Sequence, residues 1–252
     1  HVLTGNLTLR TGAGLELANT VLELPTDGIV SLEGTASLAG SDASIRAHAL
    51  SVGIDSTLSQ SSGTGDFVVQ SNVTWVCQSM RNSNNLVIEG SLLIQPNCQV
   101  EILDGGISGA VTVLTGGELT LLSSLEISVL DKGQPVAGAT VSIDGAVTMT
   151  DTNGKVATNA IARQVDDSSD VSGNGKTISL QIGSFYDFIT WDTLSSFDYT
   201  FMASTITPGT LSSWMVLEAQ WSPYFLDGDL AVESSGTLTI DDGVSLRISD
   251  GS

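Results

Sequence analysis

Positively charged residues are scarce in this sequence. Its 252 residues include 8 Lys and Arg against 28 Asp and Glu, which gives a formal net charge of −20. Because such a surface repels nucleic acids and anionic headgroups, we expect no nucleic-acid partner. Only 14% of the residues are charged and 41% are hydrophobic, a balance typical of a folded chain with a core and not of a disordered acidic tail.

Long apolar runs are also missing. No stretch approaches the roughly 18 apolar residues of a membrane-spanning helix, so we expect no membrane insertion. The opening residues HVLTGNLTLR lack the charged and apolar regions of a signal peptide. We expect this sequence to be a segment cut through the strand-like repeats of a longer chain, or else a chain whose signal has been removed.

Residues that usually carry out catalysis are few. His48 is the only internal histidine, and the sequence contains no HExxH, GxSxG, CxxC or P-loop motif. Arg10, Arg46, Arg81 and Arg247 are scattered, and no Asp cluster has the spacing that a glycosidase needs. We therefore expect neither an enzyme nor a cofactor.

The sequence contains a repeat of short triplets in which the first and third residues are apolar. In residues 91–122 the pairs Leu92/Ile94, Val100/Ile102, Val111/Val113 and Leu119/Leu121 alternate with Gly, Asn and Asp. The alternation within each pair has the period of a β-strand. The same pattern fills residues 3–50, where the middle positions are polar: Thr8, Glu16, Glu23, Ser31 and Ser37. Stacked coils of a β-solenoid explain both features, because a single coil cannot bury its own inner face.

Two cysteines fit the same architecture. Cys77 and Cys98 lie 21 residues apart, close to the length of one coil, so they are expected to lie on adjacent coils and to form a disulfide. Two buried free thiols are the alternative. Residues 51–85 are less regular, and we predict a looser coil there with a protruding Ser/Gly-rich loop and a strand at residues 67–69.

From Leu125 the pattern changes to hairpins with true turns. Strands are predicted at 125–130, 139–143, 146–149 and 156–161, followed by strands near 177–182, 185–191 and 199–206. The run GQPVAGATV followed by TDTNGKV resembles the opening of carboxypeptidase regulatory-like domains, which are prealbumin-like β-sandwiches of secreted and surface proteins. The resemblance implies a structural or spacer module without catalytic residues.

The triplets return after residue 217. The run WSPY…GDLAV…GTLTI…GV resembles an entry coil of right-handed parallel β-helix modules in large extracellular proteins. We thus predict an all-β chain with three parts: a β-solenoid at 1–124, an Ig-like antiparallel sandwich at 125–217, and a resumed or second solenoid at 218–252.

Several residues are candidates for binding or modification. Asn6 and Asn72 begin glycosylation sequons. Trp75 is interpreted as a core residue, with sugar stacking as the alternative; Trp191, Trp221 and Tyr224 are the other aromatic candidates for glycan stacking. Residues 151–154 resemble the start of a calcium loop but lack its later ligands, so we expect a hairpin turn there. We interpret the acidic run at 166–170 as an exposed loop.

Two functions remain open at this point. The first is a structural or adhesive segment of a secreted or cell-surface protein, a stiff rod whose ends stack on the rest of a longer chain or on identical subunits. The second is a carbohydrate-binding or carbohydrate-modifying β-helix, for which surface glycans would be the partners.

Overall fold

The computed structural model describes residues 1–61, 65–78, 80–173, 176–182, 185–191 and 196–249. These residues form an all-β chain with one short 3-10 helix, Ala219–Trp221. The chain divides into two units. Unit 1 consists of His1–Ser124, Asn159–Asn174 and Thr193–Ser196, and unit 2 of Leu125–Thr158, Gly175–Asp192 and Phe197–Ser252.

Short strands follow one another through the first half of the chain. They are β1 Leu7–Leu9, β2 Gly14–Ala18, β3 Val21–Glu23, β4 Ile29–Leu32, β5 Ser37–Ser41, β6 Ala43–Val52, β7 Thr57–Gln60, β8 Phe67–Trp75, β9 Arg81–Asn84, β10 Leu86–Ile88, β11 Leu92–Ile94, β12 Gln99–Leu103, β13 Gly106–Ile107, β14 Val111–Val113 and β15 Glu118–Asp131.

These strands stack in parallel on three faces. Face A contains β1, β4, the ends of β6 and β8, β11 and β14. Face B contains β2, β5 and β7, then β9, β12 and the start of β15. Face C contains β3, the starts of β6 and β8, β10 and β13. This is the predicted β-solenoid.

Apolar residues one coil apart form columns inside unit 1. On face A the register aligns Val30 with Leu50, Leu50 with Val73, and Val73 with Leu92. All four are at most 1% exposed, whereas the intervening residues face outward. The core is therefore built by stacking, and each coil covers the inner residues of its neighbour.

The corner between faces B and C requires a left-handed backbone. Asn19, Asp42, Asn85 and Asp104 follow face B strands, and all have φ between 45° and 52°. Asn and Asp tolerate this conformation better than other residues with a side chain. Asn85 and Asp104 also donate their backbone N–H groups to Leu103 and Leu122 of the next coil, so each corner continues the stack.

Face B is interrupted between β7 and β9, which belong to different sheets. Side chains bridge the interruption: the buried Ser83 donates to the Leu58 carbonyl at 2.6 Å, and Arg81 donates to the Ile54 carbonyl and to Asp55, both at 2.8 Å. Cys77 and Cys98 form a disulfide at the adjoining corner, with Cα atoms 4.7 Å apart. The predicted stacking of these cysteines on adjacent coils is thereby confirmed.

Within residues 51–85, where a looser coil is predicted, residues 51–60 and 65–75 are more regular than expected. In place of a looser coil, β6 and β8 are strands of ten and nine residues that continue from face C into face A. Their register shifts between Arg46 and Ala49, where an extra residue turns the corner. The centre of the predicted loop, residues 62–64, lies outside the described residues.

The remaining strands are shared between a hairpin region and a second set of coils. They are β16 Gln134–Pro135, β17 Thr140–Ile143, β18 Ala146–Met149, β19 Lys155–Asp166, β20 Asp170–Ser172, β21 Lys176–Ile182, β22 Phe185–Trp191, β23 Phe197–Met202, β24 Ser204–Ile206, β25 Gly209–Leu211, β26 Trp214–Leu217, β27 Tyr224–Asp227, β28 Leu230–Val232, β29 Thr237–Ile240 and β30 Leu246–Ser249. The hairpin of β19 with β20 supplies Ala162 and Val165 to the core of unit 1.

Unit 2 contains an antiparallel sheet in the order β18-β17-β21-β22. Its inner side carries Val141, Ile178 and Leu180, all buried. Val147, Met149, Tyr186 and Phe188 are exposed on the other side. The antiparallel strands are thus present, while a two-sheet Ig-like sandwich stays a prediction.

Parallel pairing also occurs in unit 2. Strand β24 pairs with β27 and β27 with β30, while β25 pairs with β28 and β26 with β29. Three faces again stack at a coil length near twenty residues. Residues 204–217, which the sequence assigns to the sandwich, therefore form a coil of the second parallel stack.

Candidate functional site

A polar ladder runs along the outside of face C. Glu23, Arg46, Gln70 and Glu89 occupy equivalent positions on consecutive coils. Arg46 Nε donates to Gln70 Oε1, and Gln70 Nε2 donates to Glu89 Oε2, both at 2.6 Å; Arg46 also lies 3.9 Å from Glu23. Each partner is a side chain of a neighbouring coil, so the ladder ties four coils together from outside.

The ladder forms one wall of a groove of about 470 Å³ that also contains Pro25, His48 and Asn72. His48 is exposed at the corner between faces C and A. An exposed ion pair stabilises a fold by at most about 1 kcal/mol, so we expect the ladder to contribute little to the free energy of unfolding. Since its groups are mutually hydrogen-bonded, we assign them no chemical step.

The two sequon asparagines lie at this same corner. Asn6 Oδ1 accepts a hydrogen bond from the Ile29 N–H at 2.9 Å, and Asn72 Oδ1 accepts one from the Ser91 N–H at 3.0 Å. Both residues are exposed. Each amide oxygen thus accepts a backbone hydrogen bond from the next coil. Glycosylation at the amide nitrogens stays a prediction.

Most aromatic candidates for glycan stacking prove to be core residues. Trp75 and Trp191 are 1% exposed and Tyr224 is 2% exposed, so none offers a ring face to a ligand. The interpretation of Trp75 as a core residue is the correct one, and the stacking roles of Trp191 and Tyr224 are wrong for the same reason. Tyr224 Oη accepts a hydrogen bond from the Glu218 N–H at 2.9 Å.

Trp221 is only partly exposed, because its ring packs on the hairpin turn at Gly133. A Cβ atom added at Gly133, which has a φ of 79°, would lie 2.7 Å from Trp221 Cη2. Glycine is therefore required there both by the backbone conformation and by the ring. We assign Trp221 a packing role in place of the predicted sugar contact.

The tryptophan that sequence reasoning missed is Trp214. It lies in β26 with 72% of its surface exposed, and Nε1 donates to Thr239 Oγ1 at 3.3 Å. A signal was present in the sequence: Met215 and Leu217 are apolar at alternate positions, which places Trp214 on the outer side.

The two acidic turns are stabilised by hydrogen bonds from their own neighbours. Asp151 Oδ1 accepts from the N–H groups of Asn153 and Lys155, both at 2.8 Å, which confirms a turn at residues 151–154. The turn connects β18 and β19, which belong to different sheets, so it is not the predicted hairpin. Asp166 Oδ1 and Oδ2 accept from the backbone and hydroxyl groups of Ser168 and Ser169. Among the described residues, no group of three or more His, Cys, Asp or Glu side chains could hold a metal ion.

The Asp166 turn should make a pH-dependent contribution to stability. Hydrogen bonds from Ser168, and then from Ser169, lower the pKa of Asp166 to about 2. Because the pKa is lower in the folded state than in the unfolded one, the contribution is fully present above about pH 4 and is lost as the pH falls towards the folded value. We expect Asp166→Ala to lower Tm at pH 5 and the difference from the wild type to shrink between pH 4 and pH 2 in circular-dichroism melts. A constant difference across that range would contradict the assignment.

No helix among the described residues is long and apolar enough to cross a bilayer. Comparisons were made with protein-family models, curated proteins and solved structures. None gives a significant match. The resemblance of residues 129–156 to carboxypeptidase regulatory-like domains therefore rests on its motif and stays a prediction.

Proposed function

We propose that this chain is a non-catalytic scaffold segment that supports adhesion. The main support for this proposal is the stack of coils in unit 1. Columns of buried aliphatic residues join the coils on the inside, and the Glu23–Arg46–Gln70–Glu89 ladder joins them on the outside. Such stacking fixes each coil against its neighbours along one direction, as a stiff support requires. The charged and amide side chains of the ladder bond one another.

We place this scaffold outside the cell or on its surface. Disulfides persist in oxidising compartments, and the Cys77–Cys98 bond joins adjacent coils. The exposed sequons at Asn6 and Asn72 suit the same setting. The antiparallel sheet of unit 2 would then belong to a carboxypeptidase regulatory-like spacer module, as the motif in residues 133–156 suggests.

The coil formed by β28, β29 and β30 supports end-to-end association. Its Val232, Ile240 and Ile248 are 47%, 49% and 63% exposed. The residues aligned with them in the preceding coil are buried. These residues are Leu211, Leu217 and Leu226. We propose that a further coil covers this surface, either from a second copy or from other residues of a longer protein.

Small-angle X-ray scattering coupled to size exclusion tests the scaffold. A compact chain of this length has a radius of gyration of about 18 Å, and we expect a clearly larger value that rises with protein concentration. The variant Ile240→Lys should reduce the rise with concentration, whereas Val147→Lys, on the exposed side of the antiparallel sheet, should leave it unchanged. A value near 18 Å at every concentration would reject both the rod and the end-to-end contact.

A further inference from the structure

The indole of Trp214 is exposed on a paired strand. Strand β26 pairs in parallel with β29, with Trp214 opposite Thr237 and Val216 opposite Thr239. Met215 and Leu217 point into the core of this stack, so Trp214 is directed outward. Burying a tryptophan removes roughly 150–250 Å² from water, so the exposure of this one forgoes a substantial stabilisation.

The ring is held in place by the next coil. Its Nε1 donates to Thr239 Oγ1 at 3.3 Å, which lays the indole diagonally over β29. Strands in a sheet are about 4.8 Å apart, so the hydroxyls of Thr237 and Thr239 border the ring. A ring anchored on a paired strand loses little conformational entropy when a ligand stacks on it.

The polar and charged residues near Trp214 indicate which class of ligand could bind. Two hydroxyl-bearing residues lie beside Trp214 on the paired strand: Thr237 is opposite Trp214, and Thr239 accepts the indole N–H. Hydroxyls donate and accept hydrogen bonds, as the hydroxyls of a sugar do. No Lys or Arg occurs in the sequence between residues 209 and 240, while Glu218 and Glu233 flank β26 and β28. An anionic ligand would therefore be repelled.

We propose that Trp214, Thr237 and Thr239 form a binding platform for a neutral pyranose unit of a glycan. The C–H face of the sugar stacks on the indole, whose π-face is the negative part of its quadrupole, and the threonine hydroxyls bond the sugar's hydroxyl groups. A cation over the indole is the competing occupant, but cation sites of this kind are cages of several aromatic rings, whereas Trp214 is the single exposed aromatic residue described in β24–β30. The platform does not depend on the scaffold function, since a rigid support could exist without it.

Nuclear magnetic resonance of the full chain labelled with 5-fluorotryptophan tests the platform. The four tryptophans give separate signals, and Trp214→Phe identifies the signal of Trp214 by its loss. The probes are neutral hexasaccharides of glucose, N-acetylglucosamine, mannose and xylose, with hexagalacturonate as the anionic probe and tetramethylammonium chloride as the cationic one. We expect at least one neutral hexasaccharide to shift the Trp214 signal and to leave the signals of the buried Trp75 and Trp191 in place.

Variants then separate the platform from other surfaces. Trp214→Ala should weaken binding of the neutral hexasaccharide at least tenfold, measured by calorimetry or by affinity electrophoresis in a gel containing the polysaccharide. The double variant Thr237→Val/Thr239→Val should weaken it severalfold. Tyr186→Ala, which removes another exposed aromatic ring, should leave it unchanged. The proposal fails if no neutral probe shifts the signal, if only hexagalacturonate or tetramethylammonium does so, or if Trp214→Ala binds as the wild type does.

Discussion

Replacing Trp75 by alanine should lower the free energy of unfolding by about 3–5 kcal/mol, the range for truncating a large buried aromatic side chain. Trp75 ends β8 and lies in register between Val52 and Ile94 of the adjacent coils. It is 1% exposed, so its removal leaves a cavity that both neighbouring coils border. Urea titration followed by far-ultraviolet circular dichroism measures the change.

Two variants show whether the loss comes from packing. The Nε1 atom of Trp75 is buried without a hydrogen-bond partner, so Trp75→Phe removes an unsatisfied donor and keeps a ring. We expect it to lose clearly less stability than Trp75→Ala. Trp214→Ala deletes the same side chain from the surface and should change the free energy by no more than about 0.5 kcal/mol. Equal effects of Trp75→Ala and Trp214→Ala would contradict the assignment of Trp75 to the core.

The coils of unit 1 were predictable because their sequence pattern has one physical cause. Each inward pair, such as Leu92 and Ile94, brackets a residue that faces solvent, and turn residues separate the pairs. The corners were visible too, since Asn85 and Asp104 supply the left-handed backbone that ends a face B strand. The stacking partner is then the residue about one coil later, as Leu92 pairs with Val111.

The continuation of β6 and β8 around a corner could not be predicted in the same way. In β6 the extra residue between Arg46 and Ala49 breaks the two-residue period, so the apolar pattern does not show that the strand is continuous. The bridge formed by Ser83 and Arg81 is also not predictable from the pattern, because a polar residue such as Ser83 at an inward position interrupts the apolar repeat.

The aromatic residues show where period-two reasoning works and where it stops. Val73 and Trp75 lie two residues apart and both point inward, whereas Trp214 precedes the inward Met215 and therefore points outward. Both placements follow from the sequence. In the run Tyr224, Phe225 and Leu226, all three residues are buried. Arg247 covers the outward Phe225 at 5.6 Å from the ring centroid, and no local pattern reports such a contact. The second stack is predicted to begin only at residue 218 because Met215 and Leu217 form the one inward apolar pair in residues 204–217.

Removing the disulfide should produce the second large loss of stability. The double variant Cys77→Ala/Cys98→Ala opens a loop of 21 residues, and loops of this size lose about 3 kcal/mol when their cross-link is removed. Alanine is the appropriate replacement because both cysteines are nearly fully buried, and serine would bury hydroxyl groups. The measurement is urea unfolding of the oxidised wild type, the reduced wild type and the double variant.

The position of the disulfide predicts how reductant should change the urea midpoint of each protein. Cys77 follows β8 on face A and Cys98 precedes β12 on face B, beside the interruption between β7 and β9. The two coils that it joins are also paired through their backbones on either side of this corner, β8 with β11 and β9 with β12, so the disulfide adds a covalent link to two parallel ladders. Reductant should therefore lower the urea midpoint of the wild type towards that of the double variant and leave the double variant unchanged. If the reduced wild type unfolds at the same midpoint as the oxidised protein, the parallel pairs β8–β11 and β9–β12 would be sufficient to hold these two coils together without the disulfide.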